Sequence, residues 1–150
     1  MFWFVIGLLC LAIDTLTKLY IANNFVAGQS LPLIDGVFHI TYHINNGAAF
    51  SILQGKTVFL SIASGAVVIG IVLYIAARKP KNSLLLTSLT LIIAGALGNL
   101  IDRVFRGGVI DFLDFRLINF PVFNLADCFV VIGGALLFLY ILKNTENGKK

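Results

Sequence analysis

Long apolar stretches separated by short polar clusters dominate the chain. Residues 1–21 are apolar except for Asp14, Thr15, Thr17 and Lys18 toward the far end. Residues 58–77 carry no charge, and residues 84–104 stay apolar until Asn99, with Asp102 and Arg103 close behind. Residues 125–142 are interrupted by a charge only at Asp127. A helix rises about 1.5 Å per residue, so about 20 apolar residues cross a hydrocarbon core about 30 Å thick. The pattern predicts four membrane-spanning helices over about 1–21, 58–77, 84–104 and 125–142. The first lacks the basic start and small-residue ending of a cleaved leader, so it is expected as a retained helix.

The segments between the spans follow a different pattern. Gly36 to Ile44 is rich in aromatic and β-branched residues, as is Val109 to Phe115 after Gly107-Gly108. Both read as strands. Aromatic strands beside a bilayer predict a small sheet resting at the interface. The expected fold class is therefore membrane α-helical: four transmembrane helices with a small extracytoplasmic β-platform at the membrane interface. The whole of 1–150 is expected to form one integral membrane domain.

Composition agrees. The 150 residues are 59% hydrophobic and 12% charged, too few charges to cover a water-soluble surface. A nucleic-acid partner, disorder and a disulfide scaffold are all excluded on this ground, and Cys10 and Cys128 are expected as thiols. The net charge of +4 is a topology signal. Arg78, Lys79 and Lys81 crowd the loop 78–83, and Lys143, Lys149 and Lys150 mark the tail 143–150. Basic residues stay on the cytoplasmic side, so both termini are expected there, with the segments 22–57 and 105–124 outside.

The acids are distributed the opposite way. Of seven, only Glu146 lies in the tail; Asp14, Asp35, Asp102, Asp111, Asp114 and Asp127 fall at or beyond the outer face. An ionisable group at membrane depth is expensive and marks a function or a paired network. Asp14 and Lys18, one turn apart, read as a self-neutralised pair with Lys18 snorkelling outward. Asn99, Asp102 and Arg103 share a helical face, where Asp102 with Arg103 forms a local network and Gly95 and Gly98 permit close packing. Asn124 with Asp127 three residues on resembles a capping box that starts the last helix. Asp111, on a strand leading back to the same membrane face, offers Asp127 a second role. Two carboxylates brought together share one proton and can activate a water for amide hydrolysis.

Other chemistries are weaker. His39 and His43 lie on one face of a strand but lack an evident third ligand. Cys128 reads as a packing residue rather than a nucleophile. Asp102, Asp111, Asp114 and Asp127 could serve as oxygen ligands of a divalent metal. A transport relay through Asp14, Lys18 and Asp102 would need polar groups through the full membrane depth, and 58–77 has no charge.

Taken together, the motifs resemble lipoprotein signal peptidase, the type II signal peptidase family of bacterial inner-membrane aspartyl peptidases. Asp-Thr-Leu-Thr-Lys at 14–18 resembles that family's Asp-Gln-x-Thr-Lys box, with Thr15 in place of Gln. Asn-Asn-Gly-Ala-Ala-Phe-Ser at 45–51, Gly-Ala-Leu-Gly-Asn-Leu-Ile-Asp-Arg at 95–103, Gly-Gly-Val-Ile-Asp-Phe at 107–112 and Pro-Val-Phe-Asn-Leu-Ala-Asp at 121–127 resemble the other four, in the same order. The resemblance implies Asp111 and Asp127 as the catalytic pair. It implies that Asn45, Asn99, Arg103 and Asn124 line the site, with Asp14 and Lys18 in support. It also implies cleavage of a prolipoprotein on the amino side of its diacylglyceryl cysteine, in contact with membrane lipid and with no metal or other cofactor. A monomer in the bacterial inner membrane is expected, its active site near the extracytoplasmic face.

Overall fold

The computed structural model describes residues 1–47 and 53–147. Part of the 45–51 motif, and Lys149 and Lys150 of the tail, lie outside the described residues. Four long helices and one small sheet make up the chain: α1 (Phe2–Asn24), β1 (Ser30–Ile34), β2 (Phe38–Asn45), α2 (Thr57–Arg78), α3 (Ser83–Arg106), β3 (Val109–Phe115) and α4 (Leu125–Asn147), with a 3₁₀ turn at Arg116–Ile118 before α4. All four helices are long and apolar enough to cross a membrane, as the hydropathy pattern leads one to expect.

The helices start and stop where local chemistry dictates. Asn82 caps α3 by accepting the Leu85 N–H at 3.1 Å. Gly107, with φ of 77°, ends it and returns its own N–H to the Arg103 carbonyl. Only a residue without a Cβ takes that left-handed turn at no cost, and β3 follows directly. At the other end of the bundle Lys79 adopts the left-handed conformation and lets α2 reverse into α3.

The helix α3 is the centre of the bundle. It packs against α1, α2 and α4 and buries nine residues, while α2 buries none and leans on α3. Val58, Phe59, Ile62, Val72 and Leu73 of α2 stay exposed, a surface that only lipid solvates. With no hydrophobic force between helices in lipid, close approach depends on small residues. A Cβ on Gly95 would meet the Ala126 carbonyl oxygen and Val130 of α4, and one on Gly98 would meet the Asp14 carboxylate of α1. These two glycines let three helices converge at one depth.

The three strands form an antiparallel sheet in the order β1-β2-β3. Ile21 of α1 packs with Ile110 and Phe112 of β3 and so fastens the sheet to the end of the bundle. The strand β1 is an element that the sequence pattern does not reveal, because Ser-Leu-Pro-Leu-Ile contains a proline. At the sheet edge Pro32 is tolerated, since no ladder bond is lost there.

A bulge in β2 corrects one expectation. His39 pairs with Asp114, but four residues further on His43 pairs with Asp111 only three positions back along β3, because Thr41 and Tyr42 together oppose Phe112. The extra residue turns His39 and His43 to opposite faces of the sheet, not one face. Asp111 and Asp114, three apart on the unbulged β3, also point away from each other.

Gly95→Val should lower the midpoint of thermal unfolding in detergent by an amount equivalent to about 1–3 kcal/mol, since neither the Ala126 carbonyl nor Val130 can yield. Gly65→Ala, where a new Cβ meets nothing within 4 Å, should leave the midpoint unchanged or raise it.

Candidate functional site

The first turn of α4 organises the site. Its exposed N–H groups need acceptors, and Asn124 Oδ1 takes the Asp127 N–H at 2.9 Å while Asp127 Oδ2 takes the Asn124 N–H at 3.2 Å. This is a reciprocal cap. It leaves the Asn124 amide nitrogen free to bridge, and it donates to Asp111 Oδ1 at 2.6 Å and to Asn99 Oδ1 at 3.1 Å. Asn99 completes the ring by donating to Asp127 Oδ1 at 2.7 Å. Capping and site geometry are thus one arrangement.

The second oxygen of Asp111 accepts from Asn45 Nδ2 of β2 at 3.0 Å. Asn45 Oδ1 in turn accepts the Gly47 N–H, and the Gly47 carbonyl accepts from Arg103 Nη2 at 3.0 Å. Arg103 therefore tethers the segment after β2 to α3, and Asp102 is not its partner.

Behind this layer lies a cluster of ions. Lys18 Nζ sits 2.8 Å from Asp14 and 3.2 Å from Asp102 and donates to Asn99 Oδ1 at 3.0 Å. At 1% exposure it does not snorkel outward. Nor is the Asp14–Lys18 pair self-neutralised, since Lys18 serves two carboxylates. Asp14 also accepts the Ala126 N–H of α4 at 2.8 Å, and Asp102 accepts the Ile110 N–H at 3.2 Å and Arg106 Nε at 3.0 Å. Arg106 is absent from the sequence reading, although its i,i+4 spacing from Asp102 signals the pair.

Asp111 is almost fully buried and Asp127 half-buried. Burial pushes the Asp111 carboxyl up to about 7, and the Asp127 carboxylate pushes the same way against the bonds from Asn45 and Asn124. Asp114 behaves oppositely. Burial opposes its ionisation, but hydrogen bonds from Thr41 and Arg116, with the Arg116 charge, hold it below the usual carboxylate range. It belongs to a separate network on the other sheet face, with Thr41 at 2.6 Å and Arg116 at 2.8 Å. Among the described residues no three His, Cys, Asp or Glu side chains are grouped so as to hold a metal ion. Asp102, Asp111, Asp114 and Asp127 do not converge.

Asp111 and Asp127 open onto a cavity of about 860 Å³ whose walls come from β2, α2, α3, β3 and α4. Near the two carboxylates the walls are polar, with Asn45, Asn99 and Arg103; toward the middle of the bundle they are apolar, with Val67, Ile92 and Val131. A smaller hollow of about 330 Å³ lies further along the same three helices, between Tyr74, Leu89 and Tyr140. Of the residues singled out in the sequence, Asn45, Asn99, Arg103, Asp111 and Asp127 line the large cavity. Asn124 bridges the two carboxylates from behind, and Asp14 and Lys18 stand behind Asn99.

Comparison with known proteins adds a family. The family model for "Signal peptidase (SPase) II" matches residues 6–143. The lipoprotein signal peptidase of Bacillus subtilis strain 168 is 43% identical over 100% of this chain and 99% of its own length. That of Bacillus pumilus SAFR-032 is 42% identical, covering 100% and 98%; that of Clostridioides difficile 630 is 45% identical over 95% of each. A bacterial membrane enzyme solved by the in meso method at 2.3 Å resolution superposes with a TM-score of 0.91 at 37% identity, over 97% of this chain and 90% of the other.

Lys18→Met should lower stability in detergent by about 3–5 kcal/mol, because it leaves Asp14 and Asp102 buried without their shared cation. The thermal unfolding midpoint reads this directly, and Asp14→Asn added to Lys18→Met should recover part of the loss.

Proposed function

The chain belongs to the signal peptidase II family of multi-pass bacterial membrane proteins, and on that premise we propose that it removes the signal peptide from prolipoproteins by aspartyl chemistry at Asp111 and Asp127. The substrate is a prolipoprotein whose cysteine already carries diacylglycerol, and the bond cut lies on the amino side of that cysteine. The observation that carries the reading is a pair of carboxylates on one cavity, joined through Asn124, with the Asp111 carboxyl pushed up to about 7.

At neutral pH such a pair holds one proton between its two members. Asp127 takes the role of base, because Asp111 is the member whose carboxyl burial pushes toward the protonated form. Asp111 holds the proton. Asp127 accepts a proton from water as the water oxygen bonds to the scissile carbonyl carbon, and Asp111 gives its proton to the carbonyl oxygen. When the tetrahedral species collapses, the C–N bond breaks. The proton on Asp127 passes to the departing amine, and the hydroxyl proton returns to Asp111. Every proton is accounted for, and the pair ends as it began.

The fold suits a substrate that is itself membrane-bound. A signal-peptide helix with acyl chains would enter sideways between α2 and α4, over α3, where the two hollows lie. The basic loop 78–83 supports a cytoplasmic placement of that end, which puts the cavity mouth and the sheet on the outer side. The β2 strand then covers the scissile bond and limits access of bulk water.

Asp111→Asn and Asp127→Asn should each lower kcat for a diacylglyceryl prolipoprotein by about 10²–10⁴-fold while leaving the fold intact. Substantial turnover in either variant would remove the dyad assignment. In the unaltered enzyme kcat/KM should fall as the pH rises through about 7, because Asp111 then loses the proton that it must donate. A rate that kept rising with pH would contradict that role.

A further inference from the structure

Several of the polar groups that line the large cavity near the two carboxylates are bonded within the protein. Asn45 bonds Asp111 and the Gly47 N–H, Asn99 bonds Asp127 and receives from Lys18, and Arg103 donates to the Gly47 carbonyl through Nη2. Ser64 of α2, on the opposite wall, is different. It lines the same cavity, and among the described residues its hydroxyl has no hydrogen-bond partner.

That is unusual for a serine in an apolar helix. The ordinary solution is to donate to a carbonyl one turn back, and Ser61 on the same helix does so, to Thr57 at 2.8 Å. An unbonded hydroxyl at membrane depth carries a cost that a bound acceptor removes. Its depth is also informative. At about 1.5 Å per residue, Ser64 stands about 21 Å along α2 from the α2–α3 turn, and Asn99 about 24 Å along α3 from the same turn. Ser64 is thus nearly level with the asparagine that holds Asp127. Beyond it the walls turn apolar at Val67, Ile92 and Val131.

We propose that Ser64 is a substrate-specificity residue: its hydroxyl donates to an ester carbonyl of the diacylglyceryl group, at the level where the lipid's polar linkage gives way to its acyl chains. This rests on the prolipoprotein reading above. Ester carbonyls only accept hydrogen bonds, so a wall donor at that level recognises them, and the apolar wall beyond suits the chains. Peptide carbonyls of the signal sequence share the acceptor chemistry, and the test separates the two sources.

The purified full-length chain in lipid nanodiscs would be given two prolipoprotein fragments with the same peptide. One carries a cysteine with two ester-linked chains; the other carries ether-linked chains of equal length, which lack the carbonyls. The unaltered enzyme should cleave the ester substrate with kcat/KM about three- to tenfold above the ether substrate, the range for one neutral hydrogen bond. Ser64→Ala should lose that preference, with its deficit confined to the ester substrate. An equal ester-to-ether ratio in both enzymes would overturn the assignment, and so would a deficit in Ser64→Ala of the same size on both substrates, which would point to a peptide carbonyl. Failure of the unaltered enzyme to cleave either substrate would instead overturn the peptidase reading, and this proposal with it.

Discussion

One ammonium group holds the interior of this protein together. Lys18 is buried between Asp14 and Asp102 and reaches Asn99 as well. Charges at membrane depth persist only where each is paired and hydrogen-bonded. Satisfying this one brings together α1, which carries Asp14 and Lys18, and α3, which carries Asn99 and Asp102. Asp14 then accepts from Ala126 in α4, and Asp102 from Ile110 in β3. The position of both carboxylates thus follows from the requirement that no buried ion be left without partners.

From that anchor the polar network grows outward and loses its internal partners step by step. At Lys18 every contact is within the protein. At Asn99 and Asn124 the amides still bond only protein groups, yet they do so to hold Asp111 and Asp127 toward the cavity. Those amides fix the orientation of each carboxylate, while burial and mutual repulsion raise Asp111. A preorganised polar support of this kind is what the proposed water activation requires, since reorganising it during the reaction would cost energy. The glycines Gly95 and Gly98 serve the same end by letting the helices close around it.

Much of this could be read from the sequence, and the reasons differ by element. The four helices were legible because a span leaves a run of apolar residues that nothing else needs. The strands β2 and β3 showed through their β-branched and aromatic content. The Asn124–Asp127 cap was visible as a spacing, but its second duty as a bridge to Asp111 was not, since that depends on where β3 returns. The strand β1 was hidden by Pro32, and the bulge at Thr41 and Tyr42 had no signal at all, so His39 and His43 read as sharing a face that they do not share. Lys18 looked like a snorkelling residue because local spacing shows Asp14 but not Asp102, which lies 84 positions away in sequence and 3.2 Å away in space. Ion partners across helices are set by packing, and a single helix does not announce them.

The central claim is that Asp111 and Asp127 hold one proton between them at neutral pH and that Asp111 carries it. Infrared difference spectroscopy of the purified protein reads protonated carboxyls directly. Comparing the unaltered protein with Asp111→Asn at a pH just below 7 should show a protonated carboxyl stretch that the substitution removes. That band should fade as the pH is raised through about 7. The absence of such a band below pH 7, or its survival in Asp111→Asn, would contradict the account.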